Sequence, residues 1–255
     1  MDMFNYIVSL NKVRAKYCNK PQRQDPSWVR ITTITMISKF DKEIDINAFR
    51  SQFKSTRIRP KNSTGEGFIW SMKETAFYNQ ITIWYSDNYS TKNIKLFPNG
   101  SIQAAGCTDL IDCQRILAQL VVIVKKTLNL DVKVEPPKIC MINTNFSLNS
   151  SVNLNKVIKV FSGDVNFKVT FDPDRYSAVK VKFVPGPNMK QVTASIFKTG
   201  KIIVTGAQTL GEIVAAYDII NTRITPDTYI QPAEKPELFD VIMGAKFEEW
   251  VQKIK

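Results

Sequence analysis

The sequence predicts an α+β fold made by tandem duplication, and three observations predict it. The first is a hairpin, Ser195-Ile196-Phe197-Lys198-Thr199-Gly200-Lys201-Ile202-Ile203-Val204-Thr205-Gly206-Ala207. Two β-branched apolar runs flank Lys198-Thr199-Gly200, where glycine supplies the positive φ of a tight turn. The second is its recurrence in Leu96-Phe97-Pro98-Asn99-Gly100-Ser101-Ile102-Gln103-Ala104-Ala105-Gly106-Cys107. Phe97/Phe197, Gly100/Gly200, Ile102/Ile202 and Gly106/Gly206 match at one offset of 100 positions. The third is the helical stretch after each hairpin, over 110–128 and 210–220. Matched positions leading into matched helices read as an internal repeat.

Taken in order, residues 1–27 read as an N-terminal basic arm. Met3, Phe4, Ile7 and Val8 could stripe a short helix there, and the basic run 12–23 could lie along phosphates. The first repeat spans 28–130. Near-alternating β-branched residues over 28–40 make a strand. Asp45 is placed to cap a short helix over 45–49. Residues 54–67 are polar and basic with Pro60, Gly65 and Gly67, a surface loop. Residues 68–72 and 80–85 are paired strands, 87–91 a turn and 94–105 the first hairpin. Apolar residues on a 3.6 period make 109–128 a long helix. Pro136-Pro137 breaks the chain, and the second repeat spans 131–223. Its strands are 138–148, 167–171, 178–184 and 192–205, with a short helix reaching Phe161, a turn at Pro185-Gly186-Pro187-Asn188 and a closing helix over 210–220. Residues 224–255 are a Pro-punctuated linker and a C-terminal amphipathic helix, striped by Leu238, Phe239, Ile242, Met243, Phe247, Trp250, Val251 and Ile254. That helix either packs back on the domain or binds a partner.

The 255 residues carry a net charge of +12, with pI near 9.5. Such basicity points to an anionic partner, nucleic acid before a membrane surface. Cys18, Cys107, Cys113 and Cys140 have no C-x-x-C spacing and there is no histidine, so free thiols in a reducing compartment are expected, with no metal and no cofactor. No histidine, no phosphate-cradling loop ending in Lys-[ST] and no paired carboxylates argue against an enzyme. No apolar run is long enough to span a bilayer, and Asp2 with polar breaks makes a poor signal peptide. The expectation is a soluble intracellular protein that keeps off membranes.

The Phe-x-x-Gly-Lys-x-x-x-Thr-Gly-Ala run at 197–207 resembles the signature of the TATA-box-binding protein family, itself a two-copy saddle. The resemblance covers 28–223 and is sharpest in the hairpin-plus-helix blocks. With its long insertions, the chain resembles the TATA-binding-like proteins of large DNA viruses more than a cellular copy. The resemblance implies a strand, a helix, four strands and a helix in each copy. The copies would join edge to edge into one curved antiparallel sheet, with helices on the convex face. It further implies a general transcription initiation factor that binds and bends AT-rich double-stranded promoter DNA through the minor groove. Such a factor recruits a TFIIB-like factor and RNA polymerase. Its place would be the nucleus or the cytoplasmic viral factory of an infected host, or the virion.

The resemblance also assigns residues. Phe97 and Phe197 match base-step wedges; the remaining wedges fall at Phe77 or Tyr78 and at Tyr176. If Phe197 faces the groove, alternation brings Ser195, Thr199, Lys201, Ile203 and Thr205 with it, and Lys95, Asn99, Ser101, Gln103 and Ala105 in the first copy. Lys95, Gln103 and Ser195 are polar where the family is apolar. The family's two groove-centre asparagines fall at Thr33 and Met141, with Asn143 and Asn145 a small shift away. These departures loosen TATA preference and leave groove shape untouched. Asp172 and Asp174 resemble the family's acidic Glu-Pro-Glu loop, which docks the polymerase-recruiting factor. The competing reading is a TATA-binding-like protein-interaction hub with little or no DNA bending. Covering of the open sheet face by the arm or the terminal helix would favour it.

Overall fold

The computed structural model describes residues 3–58, 68–73, 78–87 and 91–232. The elements are α1 (Met3–Ala15), β1 (Arg30–Lys39), α2 (Ile46–Gln52), β2 (Thr56–Ile58), β3 (Phe68–Lys73), β4 (Ile81–Ser86), β5 (Thr91–Leu96), β6 (Ser101–Cys107) and α3 (Leu110–Leu128). Then follow β7 (Lys138–Ser147), β8 (Ser150–Val152), α4 (Leu154–Ser162), β9 (Lys168–Asp172), β10 (Tyr176–Phe183), β11 (Val192–Phe197), β12 (Lys201–Ala207), α5 (Leu210–Arg223), a 3-10 turn (Pro226–Thr228) and β13 (Tyr229–Pro232). The fold is α+β, and it divides into two compact units. One is Thr33–Met141; the other is Met1–Thr32 with Ile142–Lys255. No helix among the described residues is long and apolar enough to cross a membrane.

In the first-repeat unit the antiparallel strands run β2-β3-β4-β5-β6-β1. Alternation sends Ile94, Leu96, Ile102 and Ala104 under α2 and α3, where they meet Phe49, Trp70, Ile116 and Leu120. Asp45 caps α2 by accepting from the amides of Asn47 and Ala48. Asp109 caps α3, whose C-cap Asn129 is left-handed. Lys92 is buried on this side and ion-pairs with Asp112 at 3.1 Å. Asp112 also takes Arg115 at 2.8 Å.

The second-repeat unit repeats the plan as β7-β12-β11-β10-β9. Its core packs Phe146 edge-on against Tyr217 at 4.7 Å, and Phe167 between Phe161 and Phe183.

Three stretches differ from expectation. The basic arm is ordered: α1 lies on α5, burying Tyr6 and Leu10 rather than the Ile7–Val8 side. Lys16 pairs with Asp218 at 3.0 Å, Tyr17 bonds the Asp218 carbonyl and carboxylate, and Arg23 donates to Asn221. Part of the expected 54–67 loop is strand β2, paired with β3; residues 59–67 lie outside the described residues. The linker after α5 folds back as β13 onto β8, ahead of α4. The expected C-terminal helix lies outside the described residues.

Asp112 and Glu212 hold the same place in the two repeats. Asp112 accepts from the Thr108 amide at 3.1 Å, and Glu212 from the Gln208 amide at 2.6 Å, closing a capping box with Thr209. Burial alone would raise both carboxyls. Bonds from Arg115, Thr108 and Lys92 outweigh it at Asp112, and backbone bonds from Lys190, Gln208 and Thr209 outweigh it at Glu212, so both lie below their ordinary values of 3.8 and 4.5. A depressed folded-state value gives stability that is present above the unfolded value and lost as pH falls through the folded one. Urea midpoints should be level above about pH 5 and drop below about pH 4. Asp112→Asn with Glu212→Gln should lower the plateau and flatten the drop.

Candidate nucleic-acid interface

In each unit the strands have one face under helices and, among the described residues, one face free of them. The two matching hairpins of the repeat build that free face the same way. Gly100 and Gly200 both have φ 79°, and their amides donate to the carbonyls of Phe97 and Phe197 at 3.0 and 2.9 Å. A Cβ on Gly200 would lie 1.9 Å from the Ser150 carbonyl oxygen, so the turn is pressed onto β8. Gly106 and Gly206 sit where the pairing slips, against β1 and β7 respectively. These slips are β-bulges, with glycine at the positive-φ position.

In the first-repeat unit the free face presents Phe97, Lys95, Gln103 and Ala105. Gln103 stands between Lys95 on β5 and Ile37 on β1; Ala105 faces Thr35. Thr33 follows on the same face. Phe97 is half-buried and walls a shallow hollow with Ile37, Ser101 and Gln103. Asn99 sits at the turn tip, its Oδ1 accepting from the Ser101 amide at 3.0 Å. Tyr78 is 91% exposed. Phe77 lies outside the described residues.

In the second-repeat unit Phe197 walls an equivalent hollow with Asn145, Thr199, Lys201 and Ile203. Thr205 continues that face, and Ser195 lies beside Ile203 and is nearly buried. Tyr176 lies edge-on to Phe197 at 5.6 Å, so two aromatics share one corner of the sheet. The Lys180 ammonium lies 4.5 Å over the Tyr176 ring. Cross-strand pairs put Lys180 opposite Ser195, Lys182 opposite Thr193 and Lys168 opposite Lys182. Three exposed lysines therefore stand on the same face as the aromatic corner. The sequence reading missed them, although stepping by two from Tyr176 along one strand reaches both Lys180 and Lys182.

The bulge at Gly206 decides the asparagines. Val204 pairs with Thr144 and Ala207 with Ile142, so Asn145 faces Ile203 and Asn143 is next on the free face. Asn143 Oδ1 is buried without a hydrogen-bond partner among the described residues. Ile37 and Asn145 occupy matching places, and stepping back along both strands matches Thr33 to Met141. Asp172 and Asp174 are exposed at the β9–β10 turn, where Arg175 approaches Asp172 at 3.5 Å. That pair is solvent-exposed and contributes little. α1 covers α5 on the helical side and leaves the free face of its own unit open.

The description of the family model that matches residues 136–225 is "Transcription factor TFIID (or TATA-binding protein, TBP)". A "TATA-box-binding protein-like" protein of Acanthamoeba polyphaga mimivirus is 28% identical over 236 residues, covering 76% of this chain. The chain spans 64% of the length of that relative. Among solved structures, a Methanococcus jannaschii TBP superposes with a TM-score of 0.51 at 15% identity, covering 76% of this chain and 97% of that one. That likeness is one of fold.

Proposed function

We propose that the chain is a divergent TBP-like member of the TATA-binding-protein family, a transcription initiation factor that binds and bends double-stranded DNA through the minor groove. The observation that carries this reading is the matched pair of helix-free faces, each with a phenylalanine at the end of a bulged hairpin. An open sheet face edged by aromatics and lysines suits a widened minor groove: aromatic wedges enter base steps, and ammonium groups neutralise phosphates. Lys168, Lys180, Lys182, Lys201 and Lys95 are the cations for that task. The mixed polar floor supports A·T-rich preference looser than an all-apolar floor would give. Asp172 and Asp174 serve a TFIIB-like factor, which brings RNA polymerase; as rim charges they set partner choice and association rate. No described element covers the free face of the second-repeat unit, which supports DNA binding over the hub alternative.

The test is a gel shift with A·T-rich and G·C-rich duplexes at several salt concentrations, followed by titration of a TFIIB-like factor onto the complex. The expected result is preference for the A·T-rich duplex, a log–log salt slope of about −0.9 per phosphate contact, and a supershift. A folded protein that binds neither duplex at low salt would overturn the DNA reading. A complex that never shifts further on adding the factor would overturn the partner reading alone.

A further inference from the structure

Both helix-free faces set one carboxamide against one isoleucine. Gln103 on β6 stands opposite Ile37 on β1, and Asn145 on β7 stands opposite Ile203 on β12. The two pairs hold the same place in the repeat, with amide and isoleucine exchanged between strands. Both amide side chains are half-buried, and neither has a side-chain hydrogen bond to another described residue. Beside Gln103 lies Lys95, another donor; beside Ile203 lies the nearly buried Ser195.

The minor-groove edge of an A·T pair offers only acceptors, whereas a G·C pair adds the guanine 2-amino donor. An isoleucine over that amino group leaves a donor unpaired in a closed interface, which is costly. A carboxamide has an acceptor oxygen and two N–H donors. Over A·T its oxygen is the unpaired group. Over G·C the oxygen takes the 2-amino proton while the NH2 donates to the neighbouring N3 or O2. The two carboxamides therefore suit guanine, and the isoleucines beside them suit A·T.

We propose that Gln103 and Asn145 each receive the 2-amino group of a guanine, so that the preferred duplex is A·T-rich but holds one G·C pair against each unit's face. The proposal rests on the minor-groove reading above and assigns the bases it selects. Its test starts from duplexes selected by the unaltered protein out of a randomised pool. Guanines in the selected site are then replaced one at a time by inosine, which removes the 2-amino group and keeps the major-groove edge.

The expected result is two positions enriched in guanine, each losing roughly tenfold in affinity on inosine replacement. Gln103→Leu should erase the guanine–inosine difference at one position and Asn145→Leu at the other, while both variants still bind the inosine duplexes. The inosine comparison on the unaltered protein needs no variant to fold. Selected sites without guanine, or inosine replacement that leaves affinity equal or higher, would overturn the proposal and leave minor-groove binding standing. Retention of no duplex at any salt would overturn the minor-groove reading itself.

Discussion

Phe97→Ala and Phe197→Ala are each expected to weaken binding to bent duplex by about tenfold to a hundredfold and to reduce the bend, because unstacking a base step costs a few kcal/mol that the missing wedge no longer recovers. Both rings stand half-buried on the helix-free faces, apart from the helix-covered core. Folding stability should therefore change by less than about 1 kcal/mol, the usual range for substitutions off the core. The larger loss is expected at Phe197, because Tyr176 leans edge-on against it and loses its own support with it. The measurements are binding to linear and pre-bent duplexes, circular-permutation bending and urea unfolding of each variant. Full affinity and full bend in a normally folded Phe197→Ala protein would remove the wedge assignment.

Gly200→Ala is expected to be the most damaging single-atom-group change for stability, at about 3 kcal/mol or more. Two causes add. A side chain at φ 79° is strained wherever it sits, and this one would meet the Ser150 carbonyl oxygen at 1.9 Å and its carbon at 3.0 Å. Backbone on both sides leaves nothing flexible to yield. Gly163→Ala is the internal control. Gly163 has a right-handed conformation at the end of α4, and its new methyl would touch only the Lys159 oxygen at 3.6 Å. That change should be neutral or stabilising by up to about 1 kcal/mol. Urea unfolding of both variants checks the contrast; similar midpoints would mean that β8 and the turn are not pressed together as described.

Much of the repeat was legible because its signals are local. Gly100 and Gly200 mark the turns since only glycine takes that φ without strain, and strand alternation needs no partner to be read. The helices showed themselves through apolar periodicity, and α2 also through Asp45 at its cap. The candidate face was half legible. Alternation from Phe197 reaches Ile203 and Thr205, but Lys168 sits on a separate strand, and only pairing with β10 brings it beside Lys182. Register across strands is a tertiary quantity, and a slip of one residue turns every side chain to the opposite face. The bulge at Gly206, which sets the residues of β7 that β12 faces, shows only in the register.

The sequence by itself determined the duplication, the two hairpins, the paired phenylalanines and the basic charge, since each follows from residue type and short spacing. The tertiary structure alone decided three things. It drew α1 onto α5, because Tyr6 and Leu10 find an apolar surface there and Lys16 and Arg23 find Asp218 and Asn221, partners about two hundred positions away. It returned β13 to β8, because backbone amides and carbonyls of a short segment pair with whatever strand edge lies beside them. And it placed one carboxamide beside one isoleucine on each open face, because cross-strand neighbours are set by register and bulges rather than by distance along the chain.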